Sequence, residues 1–114
     1  MRIRKVESVE SKAVEVEGAK GCRVRLLIHK AEGAPNFYMR QFILARGGCT
    51  PQHSHEWEHE IYVVSGAGMA VTPEGVNPIS AGDCVYVAPD DVHQFLNTGQ
   101  GELKFLCLVP ATAK

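Results

Sequence analysis

Three of the chain's five histidines fall within seven residues, in His53-Ser54-His55-Glu56-Trp57-Glu58-His59. On a strand, residues i and i+2 point the same way and stand close enough to share one ion, and His53 and His55 have that spacing. Neutral imidazole offers a nitrogen lone pair, which makes histidine the commonest transition-metal ligand. His59 follows after three residues, enough for a tight reversal into the next strand, where it shares parity with Ile61 and Val63. His93 is distant in sequence but opens another short strand just after the turn signal Pro89-Asp90-Asp91. A single such pair would read as surface histidines in a polar loop. Three clustered, with a fourth at a strand start, read as a centre for one divalent metal ion held by His53, His55, His59 and His93. The fifth, His29, travels with Arg23 and Arg25 along residues 22–29 and reads as a mostly solvated strand residue.

These residues need a scaffold of strands. Turn signals recur at short intervals, among them Gly47-Gly48, Gly66-Ala67-Gly68, Thr72-Pro73-Glu74-Gly75 and Asn97-Thr98-Gly99. Between them lie β-branched, aromatic and aliphatic runs such as Ile61-Tyr62-Val63-Val64 and Cys84-Val85-Tyr86-Val87. That rhythm predicts an all-β sandwich or barrel, and no stretch keeps a helical period. Alternation assigns faces: Cys22, Val24, Leu26 and Ile28 share one, as do Tyr38, Arg40, Phe42 and Leu44, and as do Leu103, Phe105, Cys107 and Val109. Leu106 and Leu108 make the opposite face of the last strand apolar too, which predicts cover on both sides, from a second subunit if not from this one.

With 114 residues and no internal repeat or linker, the chain reads as a single domain over 1–114. At 45% hydrophobic content it has a sizeable core and needs no metal merely to fold, so a metal would serve chemistry. The balance of 12 Lys+Arg against 13 Asp+Glu gives no reason to expect nucleic-acid binding. No apolar run approaches membrane-spanning length, and the opening residues lack a signal-peptide pattern, so the expected compartment is the cytoplasm. Cys22, Cys49, Cys84 and Cys107 form no CxxC pair and are expected to be free thiols.

The motifs resemble those of the cupin superfamily, in particular its small bacterial single-domain members with a four-histidine site. Gly47, five residues, His53-Ser54-His55, three residues, His59, six residues, Gly66 follows the first cupin motif, with histidine where the family usually has glutamate. Glu60 is the rival for that place; the spacing to Gly66 favours His59. Gly82, Pro89, His93 and Asn97 match the second motif over 82–97, although Asp91 replaces its glycine and the middle spacing differs by a residue. The resemblance implies a jelly-roll β-barrel, a homodimer, a manganese or iron centre, and dioxygenase-like chemistry in some members. The general affinity order of a nitrogen-rich site leaves nickel, zinc or copper as further candidates.

Four neutral imidazoles would leave the ion its full double charge, and four protein ligands on an octahedral ion leave open positions for a small-molecule substrate. With the dioxygenase-like chemistry that the resemblance implies, the expected function is a metal-dependent oxygenase, with a Lewis-acid isomerase or lyase and a non-catalytic small-molecule-binding protein as the alternatives. Arg40 has two placements. Either its guanidinium enters the barrel as a costly buried charge with a carboxylate or enolate to hold, or local parity reverses and it is solvated. Arg40 and Cys107 are the candidate catalytic residues, and Phe95 and Phe105 the candidate pocket wall.

Overall fold

The computed structural model describes residues 1–113. Nine strands carry the chain: β1 Ser11–Ala13, β2 Lys20–Ile28, β3 Phe37–Cys49, β4 His59–Ser65, β5 Ala67–Thr72, β6 Gly75–Ser80, β7 Cys84–Val87, β8 Gln94–Leu96 and β9 Leu103–Pro110. Every pairing among them is antiparallel, in the order β6-β5-β8-β3-β9-β4-β7, with β2 on the far edge of β3 and β1 beyond it. The sheet curls on itself as an all-β jelly-roll barrel. No helix among the described residues is long and apolar enough to cross a membrane.

Period-two alternation explains where the core sits. Along β9, Leu103, Phe105, Cys107 and Val109 are all buried, while Lys104, Leu106 and Leu108 between them are half-buried. On β4 the buried set is His59, Ile61 and Val63, and Glu60, Tyr62 and Val64 face out. Leu44, Val63, Leu103 and Phe105 are the largest side chains with essentially no exposure.

One strand departs from simple alternation. Cys22 is buried as its parity requires, but Leu26 and Ile28 are 39% and 48% exposed and Leu27 is buried instead. A register shift between Leu26 and Ile28 against β3 inserts one residue and turns the end of β2 over. His29 then leaves the strand, opens a short 3₁₀ turn over Lys30–Glu32 and stacks half-buried on Tyr38 at 3.9 Å, rather than being solvated on a strand.

Two backbone positions tie the motifs to the fold. Gly66 has a φ of +91°, and a Cβ there would run into the carbonyl oxygen of Glu102. Gly66→Ala is expected to cost about 1–3 kcal/mol from the left-handed conformation alone, and more from the clash, measurable as a lower urea midpoint. In the second motif Gly82 has a φ of +95°, and the non-glycine residue with positive φ is Asp90, at 67°, a conformation that Asp tolerates better than most side chains.

Candidate metal centre

Residues 50–55, between β3 and β4, run antiparallel to residues 90–95. The amide of Thr50 donates to the Phe95 carbonyl at 3.0 Å, and the Thr50 hydroxyl accepts from the Phe95 amide at 2.9 Å. His53 and His93 form a mutual backbone pair at 3.1 and 2.9 Å. This bridge brings together two residues separated by forty positions of sequence. His53 and His55 share a face as their spacing predicts, and their Nε2 atoms are 3.2 Å apart. The ligand atoms of His53, His55 and His93 all lie within 4.8 Å of one another.

His59, the first residue of β4, borders this three-histidine group. Its ring centroid is 5.2 Å from those of both His55 and His93. Its Nε2 is buried with no hydrogen-bond partner among the described residues, while its Nδ1 lies 3.1 Å from Cys107 Sγ. Glu60 is exposed on the opposite face of β4, as strand geometry demands of the neighbouring residue. The His93 ring is oriented from behind, its Nδ1 lying 2.8 Å from the Asp91 carbonyl oxygen, which leaves Nε2 for the group. Trp57 stacks nearly parallel on His55 at 4.5 Å.

The donor set suits a cation. Burial holds His53 down to about 4, with His55, His93 and Arg40 adding repulsion. Burial likewise holds His59 down to about 3, reinforced by His93 and Arg40, and it lowers His55. These rings are therefore neutral near pH 7; the ligand atoms of His53, His55 and His93 lie close together, and His59 Nε2 is buried with no partner among the described residues. They fit a divalent ion.

A pH dependence of the metal-free protein follows. Unfolded imidazoles titrate near 6.5. Below that value the unfolded chain binds protons that folded His53, His55 and His59 refuse, so their contribution to stability is complete above pH 6.5. It is expected to decline as the pH falls toward 4, seen as a decreasing urea midpoint over that range.

The histidines open onto a cavity of about 300 Å³ whose lining includes Arg40, Phe42, Trp57, Ile61, Phe95, Phe105 and Cys107. Arg40 thus takes the inward of its two placements. Its Nη2 donates to Cys107 Sγ at 3.1 Å, its Cζ lies 5.0 Å from the Phe42 ring centroid, and its Nε is buried with no partner among the described residues. Burial raises the Cys107 thiol, against the opposing pull of Arg40, so the sulfur is a neutral thiol at pH 7. Phe95 and Phe105 pack at 5.1 Å as part of the wall. Asn97 serves structure: its Nδ2 donates to the carbonyls of Leu44 and Gly101, and its Oδ1 accepts from Gly99 N. Val14, Val16 and Ala113 also line the cavity, drawn from near the two ends of the chain, and no motif in the sequence points to them.

A curled antiparallel barrel with histidines gathered at one mouth defines a cupin, and the chain belongs to that family: residues 40–109 match the cupin domain model. Over 113 residues it is 29% identical to an oxalate-binding protein of Thermotoga maritima, covering 96% of this chain and 93% of the relative. Among solved structures it is similar to the polyketide cyclase RemF of Streptomyces resistomycificus, with a TM-score of 0.92 and 31% identity over 97% of this chain and 80% of that one. A cupin 2 domain-containing protein of Halorhodospira halophila shares 37% identity at a TM-score of 0.75, over 80% of this chain and 64% of that one.

Proposed function

We propose that this cupin is a metal-dependent enzyme. Its divalent ion is held by His53, His55, His59 and His93, and its substrate is a small, oxygen-rich anion, either a carboxylate or an enolisable carbonyl compound. The observation that carries this reading is the charge of the cavity. Its described lining holds four histidines and one guanidinium, and no aspartate or glutamate. A divalent ion bound there would keep its double charge and supply Lewis acidity toward substrate oxygens.

The chain's own groups do the rest. Arg40 lines the cavity and offers guanidinium N–H donors to an anion. Phe42, Phe95 and Phe105 keep water from the bound anion, which strengthens those contacts. Oxalate is a dicarboxylate and polyketides carry enolisable carbonyls, so the names of the relatives support an oxygen-chelating ligand. The cyclase relative favours non-oxidative carbonyl activation, an isomerase- or lyase-type reaction. A second reading, the oxygenase with manganese or iron, is favoured by one feature: the described lining holds no carboxylate and no histidine outside the proposed ligands to take up a proton.

The test is elemental analysis, then reconstitution with Zn²⁺, Mn²⁺ or Fe²⁺ and assay against dicarboxylates and β-dicarbonyl compounds, with and without O₂. Anaerobic turnover with zinc is the expected result. Turnover confined to manganese or iron, with matching O₂ uptake, would establish the oxygenase instead. Binding without turnover would make the protein a small-molecule carrier, and failure to take up any metal would overturn the proposal.

The proposed assembly is a homodimer in the reducing cytoplasm, where the four free thiols would persist. Tyr62, Val64 and Tyr86 are exposed on the outer face of β4 and β7, beside the half-buried Leu106 and Leu108. Sedimentation is expected to give twice the chain mass, and Tyr62→Glu to give monomer.

A further inference from the structure

We infer that Cys107 is a positioning residue for His59: its sulfur accepts the Nδ1–H of His59 and so fixes the ring in the tautomer that turns a bare Nε2 toward the other histidines. The inference rests on the four-histidine reading of the site.

Sheet register brings the three groups together. Arg40 is the direct cross-strand partner of Cys107 on one side, and Ile61 is its partner on the other. His59 precedes Ile61 by two residues on the same face of β4, so it meets Cys107 diagonally. Both Arg40 Nη2 and His59 Nδ1 reach the sulfur at 3.1 Å. A guanidinium N–H can only donate, so the sulfur is already an acceptor toward Arg40.

Two proton arrangements then compete at His59. If the thiol S–H pointed at Nδ1, the imidazole proton would sit on Nε2, which is buried and has no hydrogen-bond partner. Leaving a buried N–H without an acceptor incurs its desolvation cost with nothing in return. With Nδ1–H donated to the sulfur, the group left unpaired is the S–H, a weak donor and the cheapest to strand. Nε2 then carries a lone pair, as a metal ligand must, and the other ring nitrogen has the acceptor that ligating histidines usually need. Here a thiol takes the place that a carboxylate or backbone carbonyl usually fills, and it adds no negative charge to the cavity.

The tautomer can be read directly by ¹⁵N-detected NMR of the metal-free protein at neutral pH. His59 is expected to be protonated on Nδ1 and bare on Nε2. Cys107→Val keeps the volume but removes the acceptor. It should abolish the tautomer preference and lower Zn²⁺ affinity, measured by chelator competition, by about 10–100-fold. Cys107→Ser keeps an acceptor and should restore the tautomer and most of the affinity. His59 protonated on Nε2 in the unaltered protein would overturn the inference, as would a Cys107→Val variant that keeps both tautomer and affinity. Because the tautomer is read without metal, it decides the role of Cys107 even if zinc titration of the unaltered protein fails and overturns the four-histidine site.

Discussion

His59→Ala is expected to lower zinc affinity by more than about 100-fold, the upper end of what losing a mere supporting group costs. Glu60→Gln should change it by only a few-fold. Adjacent strand residues face opposite ways, and His59 is 5% exposed beside the three-histidine group while Glu60 lies on the outer face. Chelator competition on the two variants gives the ranking. The reverse order would transfer the fourth ligand to Glu60 and with it one negative charge, which would weaken the argument for an anionic substrate. A variant that still binds zinc as tightly as the unaltered protein would reduce the centre to His53, His55 and His93.

Arg40→Leu is expected to weaken binding of oxalate or another small dicarboxylate to the zinc-loaded protein by about 10–150-fold. That corresponds to the 1.5–3 kcal/mol of a hydrogen bond to a charged group. Zinc content should stay stoichiometric, because Arg40 is a cation that repels the centre rather than a ligand; it is one cause of the lowered His53, His55 and His59 values. Arg40→Lys should recover part of the loss, since an ammonium keeps the charge without the planar fork. Calorimetric titration separates these outcomes. Unchanged anion affinity in Arg40→Leu would mean that the guanidinium serves only its contact with Cys107.

Much of the fold and the centre is legible in the sequence because both depend on short-range periodicity. The spacing of His53 and His55, the parity of His59 with Ile61 and Val63, and the alternation of β9 are local properties; the structure gathers His53 and His55 with His93 and buries His59, Ile61, Val63 and the odd positions of β9 on inward faces. What escapes is set by partners distant in the chain. The turnover at the end of β2 comes from a register shift against β3, and nothing within residues 22–28 announces it. Parity left both placements of Arg40 open, because the opposite face of β3 is buried as well, at Gln41 and Ile43. The contact of Cys107 with His59 joins positions 48 residues apart, and only the register of β9 against its neighbours specifies it.

The reciprocal backbone bond between His53 and His93 has a kinetic consequence. Opening this paired stretch, which the Thr50–Phe95 bonds and the bond from the Asp90 amide to the His55 carbonyl also hold, would separate two of the proposed ligands together, and an ion lost by this route would depart no faster than the stretch opens. A bound ion would in turn hold this stretch closed, so hydrogen exchange at these two amides would slow on loading by a factor set by the free-ion concentration relative to its dissociation constant. Metal affinity and local breathing of the chain would then be linked, and the link would be readable at two peptide groups.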